Sequence, residues 1–304
     1  MIDAGLIAAR FVHYLALAIA FGAVLYGHYG RGEGLEGVRR RLDRLSMVGA
    51  LGVMAGAAAL LMLTVAGMGG GFASLGDAPL WRAVLLETDF GRVWIARLVL
   101  AGGLVGVTMG LSERPSPARR VALGLAGLLL LSVALTGHAT SHDGPMGLLH
   151  RATDAVHLLA AGVWIGALPP LLFLLSAARR DVGASTHAAR RLREFHGIGL
   201  IAVAALVASG LVNSALLVSD FPALIGSPYG RVLAVKLCLF LGMLALAASN
   251  RWRAAPRLDH AVDKGGDIRA PIHLLRRQIR MELVISLLVL GAVAVLGTLS
   301  PTMP

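Results

Sequence analysis

The sequence predicts an all-α polytopic membrane protein with eight transmembrane helices, built as a parallel 4+4 internal repeat with both termini periplasmic. Three observations carry this. Hydrophobic residues make up 57% of the 304 and charged residues only 15%, against about 25% charged in a soluble globular domain; mean hydropathy is +0.75. Apolar runs long enough to cross a bilayer as helix recur along the chain. Basic residues collect in every second connection.

The expected spans lie at roughly 5–27, 45–67, 91–111, 121–138, 153–176, 196–219, 231–250 and 281–299, each about the length a tilted helix needs. The first carries Arg10 inside its apolar run and lacks a basic leader and a small-residue cleavage site, so it reads as a retained helix rather than a signal peptide. Connections 28–44 (Arg31, Arg39, Arg40, Arg41, Arg44), 112–120 (Arg114, Arg119, Arg120), 177–195 (Arg179, Arg180, Arg190, Arg191, Arg193) and 251–280 are basic. The intervening ones hold Asp77, Glu87, Asp89, Asp143 and Asp220. Lys and Arg in short loops mark the cytoplasmic face, which places both ends of the chain outside.

The net charge of +11 would suit nucleic acid in a soluble chain. Here it sets topology, and the lipid bilayer, not nucleic acid, is the expected partner. Cys238 is the only cysteine, which excludes disulfides, zinc ribbons and thiol redox pairs. Gly69-Gly70-Gly71 is no phosphate loop, because no Lys-Ser/Thr and no strand accompany it. No Walker motif and no nucleophile–base pair stands out, so an enzyme is not expected.

Val12–Val24 (VHYLALAIAFGAV) aligns without gaps on Val156–Leu168 (VHLLAAGVWIGAL), and Phe90–Leu100 aligns on Tyr229–Leu239. Two matched pairs in one order, with polar residues coinciding, point to duplication. The chain is thus expected to be one membrane domain, 1–304, of two four-helix halves, 1–140 and 141–304. An even number of spans per half inserts both halves the same way, and sites are expected where they meet. His13 and His157 become equivalent residues on either side of a pseudo-axis.

A polar belt follows. Arg97, Lys236 and Asn213 lie inside expected spans, and Arg10 and Asp154 precede the two histidines by one helical turn. Charges in a span should face the bundle interior and pair; Arg10 with Asp154 across the axis is the expected pair. His138 and His142 close the fourth span, and His150, Asp154 and His157 form a stripe into the fifth. Met62, Met68 and Met146 lie near the same outer surface. Imidazole and thioether without thiolate suit copper, as Cu(I) or Cu(II), better than Ca²⁺ or Mg²⁺. Each residue also has a plainer use: an intramembrane histidine as an interhelical hydrogen-bond partner, methionines as packing.

The chain resembles the copper resistance protein D (CopD) family of bacterial inner-membrane proteins. The resemblance rests on Gly137-His138-Ala139, on Asp154 with His157–Leu168, and on Ser209-Gly210 with Asn213. It also rests on Tyr229-Gly230-Arg231 with Lys236 and on Asn250-Arg251. Arg10 and His13, and Thr88–Gly91 with Trp94 and Arg97, add the first half. It implies a multi-pass protein of the bacterial inner membrane that moves copper, commonly toward the cytoplasm, with a small periplasmic copper-binding protein of the CopC type as partner. His13, His138 and His157 are the family-like histidines, with Arg10, Asp154, Arg97 and Lys236 around them.

The expected activity is copper transport without ATP hydrolysis: capture at His138, His142 and His150, then transfer to a His13/His157 pair on the axis. The alternative is a membrane electron-transfer protein in which that pair ligates haem b.

Overall fold

The computed structural model describes residues 2–111, 115–136, 144–179, 181–217 and 226–300. Among the described residues ten α-helices follow in order: α1 Ile2–Leu25, α2 Glu36–Met68, α3 Ala78–Glu87, α4 Asp89–Met109, α5 Pro115–Val133, α6 Gly144–Ala178, α7 Val182–Leu217, α8 Pro228–Ser249, α9 Ala255–Asp263 and α10 Arg269–Leu296. No strand occurs among the described residues. Seven helical stretches there are long and apolar enough to cross a membrane: α1, α2, α4, α6, α7, α8 with α9, and α10. The α5 helix, of 19 residues, occupies the place of the expected fourth span and is not one of the seven.

Several helices outrun the expected spans at the basic end. α2 takes in Arg39, Arg40, Arg41 and Arg44, α7 takes in Arg190, Arg191 and Arg193, and α10 takes in Arg276, Arg277 and Arg280. Arginine is a good helix former, so nothing stops these helices at the bilayer surface. The 33 residues of α2 make about 50 Å of helix against a core of about 30 Å. The projecting turns are tied together: Arg119 donates to Asp43 at 2.7 Å between α5 and α2, and Arg193 to Asp259 at 2.6 Å between α7 and α9. The long outer connection after α2 also contains a helix. Asp77 caps α3 through the Leu80 N–H, Pro79 sits in its first turn, and Trp81 donates to the Leu75 carbonyl at 2.9 Å.

The bundle is organised about α1 and α6. α1 packs on α2 and α6 on α7, and the two meet each other at Gly22 and Gly166. A Cβ at Gly22 would lie 2.2 Å from the Gly166 carbonyl oxygen, so the backbones touch. That carbonyl is available because Pro170, inside α6, has no N–H to offer it. Between helices in lipid such small-residue approach is a main source of attraction. Tyr26 seals the same seam by donating to the Val163 carbonyl at 3.0 Å. Outward faces are apolar: Ile201 is 72% exposed, Leu211 67%, Leu241 63%, the surface a bilayer would cover.

Substituting Gly22 by Val should overpack this seam, at a cost of about 3 kcal/mol read as a lower unfolding midpoint in detergent. Gly124→Ala, where an added Cβ meets nothing within 4 Å, should leave the midpoint unchanged.

Candidate functional site

The first half seats His13 between α1 and α2. The seat needs a glycine opposite: a Cβ at Gly56 would stand 2.9 Å from the His13 Cβ and 3.1 Å from Nδ1. The ring is 1% exposed, and neither nitrogen has a hydrogen-bond partner. The Val53 carbonyl bears on the ring without the alignment of a hydrogen bond. Arg97 of α4 is near enough for its charge to act on this imidazole. That guanidinium is 2% exposed: Nε donates to Ser132 Oγ at 3.0 Å, Nη2 to the Ser132 carbonyl at 2.7 Å and to Thr136 Oγ1 at 2.8 Å. It stacks over Trp94, 4.3 Å from the ring centroid.

The second half repeats the plan with other residues. His157 of α6 faces α7, where a Cβ at Gly210 would stand 3.6 Å from its Cε1. Its Nδ1 lies 3.0 Å from Ser209 Oγ, whose own hydrogen goes to the Ala205 carbonyl at 2.6 Å. The hydroxyl therefore accepts and Nδ1 carries the proton, which makes Nε2 the acceptor nitrogen of the ring; the Leu206 carbonyl also bears on this imidazole. Lys236 of α8 stands where Arg97 stands in the first half, its charge acting on His157. Beside it, Asn213 Nδ2 donates to Asp154 Oδ1 at 3.5 Å and Thr153 Oγ1 to Asn213 Oδ1 at 2.7 Å, while Asp154 and Lys236 act on each other.

The expected convergence of His13 and His157 does not occur. Each stands nine residues before the glycine at the α1–α6 contact. That is about two and a half helical turns, so each ring lies on the face turned away from the other half. The two do not frame a haem plane between them. Nor does Arg10 reach Asp154: among the described residues no ion pair joins them. Arg10 runs instead toward the end of α10, its guanidinium carbon 3.4 Å from where a Gly297 Cβ would be. A cation at a helix C-terminus is favourably placed against the helix dipole. His150 is 2% exposed; His138 and His142 lie outside the described residues. Met62, Met68 and Met146 are all about half exposed and not drawn into either histidine seat.

Among the described residues no three His, Cys, Asp or Glu side chains gather as a metal cage. What the arrangement offers is two separate imidazoles, each beside a fixed cation. Sequence reasoning missed a third polar spot, toward the basic end: Glu282 on α10, bonded to Asn250. A lone carboxylate at the start of the last apolar run reads as an interface residue, and only its 3% exposure says otherwise.

Comparison with known proteins bears on this arrangement. Residues 1–148 match the family model for the copper resistance protein D-like N-terminal domain, and residues 189–296 that for copper resistance protein D. The chain is 32% identical to "Copper resistance protein D" of Pseudomonas syringae pv. tomato, over 98% of this chain and 97% of that one. It is 31% identical to "Inner membrane protein YebZ" of Escherichia coli K12, over 97% and 98%. It is 32% identical to "Copper transport protein CutJ" of Bacillus subtilis 168, over 81% of this chain and 46% of that longer one. No solved structure matches. With apolar helices throughout and relatives matched nearly end to end, the chain is a multi-pass membrane protein that belongs to the copper resistance protein D family.

Proposed function

We propose that this protein carries copper across the bacterial inner membrane toward the cytoplasm, with the basic end of the bundle on the cytoplasmic side. The observation that carries the reading is the state of the two buried imidazoles. Both His13 nitrogens lack a partner, and His157 is oriented by Ser209 so that Nε2 keeps its lone pair. Buried polar atoms without partners are rare in folded proteins and call for a water, an ion or a functional use. A ligating histidine held through its other nitrogen is the usual arrangement at metal sites. Relatives named for copper resistance and copper transport point to the same cargo.

Copper acts here as substrate. It would be captured at the outer mouth by His138, His142 and His150, and delivered by a periplasmic protein of the CopC type. From there it reaches one station per half, at His13 and at His157, rather than one shared centre. Asp154, Asn213 and Lys236 set the charge around the second station, and Arg97 sets it around the first. Repulsion by a fixed cation scales with the charge of the ion, so Arg97 and Lys236 oppose Cu(I) half as strongly as Cu(II) at the same distance. Two imidazole stations of this kind therefore suit the monovalent ion. The recurrence of histidine, facing glycine and neighbouring cation in each half, at 13, 56 and 97 and at 157, 210 and 236, supports descent of residues 1–140 and 141–304 from one four-helix unit.

Replacing both His13 and His157 by Ala should abolish copper accumulation in cells that depend on this protein, and each single change should lower it. Accumulation unchanged in the double variant overturns the reading. Ser209→Ala should weaken copper binding by about 10-fold in a chelator competition titration; an unaltered affinity would remove Ser209 as the group that orients His157.

A further inference from the structure

The half of the bundle nearer the basic end holds a polar group for which the copper stations have no use. Glu282 is 3% exposed, and among the described residues no Lys, Arg or His lies within ion-pair distance of it. Its partners are the Asn250 side-chain Nδ2, bonded to Oε1, and the Trp164 indole. Asn250 is itself buried, and its Oδ1 has no partner. It opens a π-helical turn, Asn250–Ala254, at the end of α8, the kind of irregularity that collects at functional positions. Glu282, Asn250 and Trp164 line one cavity of about 160 Å³, walled mostly by apolar residues such as Leu168, Phe195 and Leu244. The cavity exists because α7 and α8 stand apart, whereas α2 lies along α4 in the other half.

Other charged and titratable groups lie nearby, none of them in an ion pair with Glu282. His196 of α7 and Arg251 of the π turn share the cavity wall, but Arg251 Nη1 donates to the His196 backbone carbonyl at 2.6 Å. From α9, Asp259 is paired with Arg193, and the contact with α10 is apolar, through Leu258 and Leu275. Arg280, on the same helix as Glu282, is exposed. α1 brings Arg10 against Gly297, at the far end of α10. An ionised carboxylate here has hydrogen bonds and no counter-charge, a costly state in a low-dielectric interior.

We propose that Glu282 and Asn250 form a proton-binding site on the inner half of the protein. In the ionised form the carboxylate accepts N–H bonds from Asn250 and Trp164, and Asn250 Oδ1 is stranded. When the carboxylate takes a proton from cavity water, the new O–H needs an acceptor. A half-turn of the Asn250 amide presents Oδ1 to it and leaves Nδ2 unmatched instead. Each form thus satisfies the carboxyl and strands one amide atom, so neither is locked. On uptake one Glu282 O–H bond forms as one O–H of a hydronium ion in the cavity breaks, leaving water; release is the reverse, and the only other change is the turn of the Asn250 amide. The site stands independently of the copper reading.

Infrared spectra of the purified full-length protein in lipid discs, recorded from about pH 4 to 9, where carboxyl groups of ordinary and raised pKa titrate, test this. The wild type should show a protonated-carboxyl C=O band that grows as pH falls and is missing from Glu282→Gln, an isosteric change that keeps an oxygen for Trp164. In Asn250→Ala, with Glu282 intact, the midpoint of that band should move. No such band in the wild type, a band of constant height across the range, or one that persists in Glu282→Gln overturns the proposal. Copper binding by the same samples, measured separately, bears on the histidine stations alone.

Discussion

The approach of α1 to α6 at Gly22 and Gly166 governs the rest of this molecule. In lipid there is no hydrophobic gain from pressing one apolar helix on another, so association rests on close packing and hydrogen bonds. Two glycines opposite each other, with a carbonyl released by Pro170, give that packing at the centre of the bundle. The contact also fixes which way each helix is rotated. Once Gly22 and Gly166 face each other, His13 and His157 must face outward into their own halves, against Gly56 and Gly210.

Each half then has to accommodate a buried cation beside its histidine, and the two do so differently. Arg97 spreads its charge over two hydroxyls, a carbonyl and an indole face. Its planar fork suits several simultaneous partners. Lys236 is a point charge and is met by a carboxylate, Asp154, which Asn213 holds. One solution is neutral dipoles around a cation, the other a cation near an anion. The second half therefore carries less net positive charge around its imidazole.

The halves also differ at the basic end. The space between α7 and α8 admits a cavity, whereas α2 lies along α4 in the first half, and the buried Glu282 and Asn250 lie on it.

The membrane class, seven of the eight expected spans and the placing of His13, His157, Arg97 and Lys236 within helices were legible in the residues, whereas the expected span 121–138 falls on α5, which is not one of the seven. Hydropathy and charge are local properties and survive in one dimension. Helices running on past the membrane at Arg39–Arg44 and Arg190–Arg193 were not, because a run of arginines sets topology and favours helix equally well. The matched glycines at 22 and 166 were visible as coincidences in the repeat, but nothing in a linear alignment says that they touch. Nor could the chain reveal that Arg10 goes to the end of α10 rather than to Asp154, or that Glu282 is enclosed. What the sequence by itself determined is which segments are long apolar helices and most of the polar groups they must hide. Only the tertiary structure decided which way those groups face, because helix rotation is set by backbone contacts between segments more than a hundred residues apart.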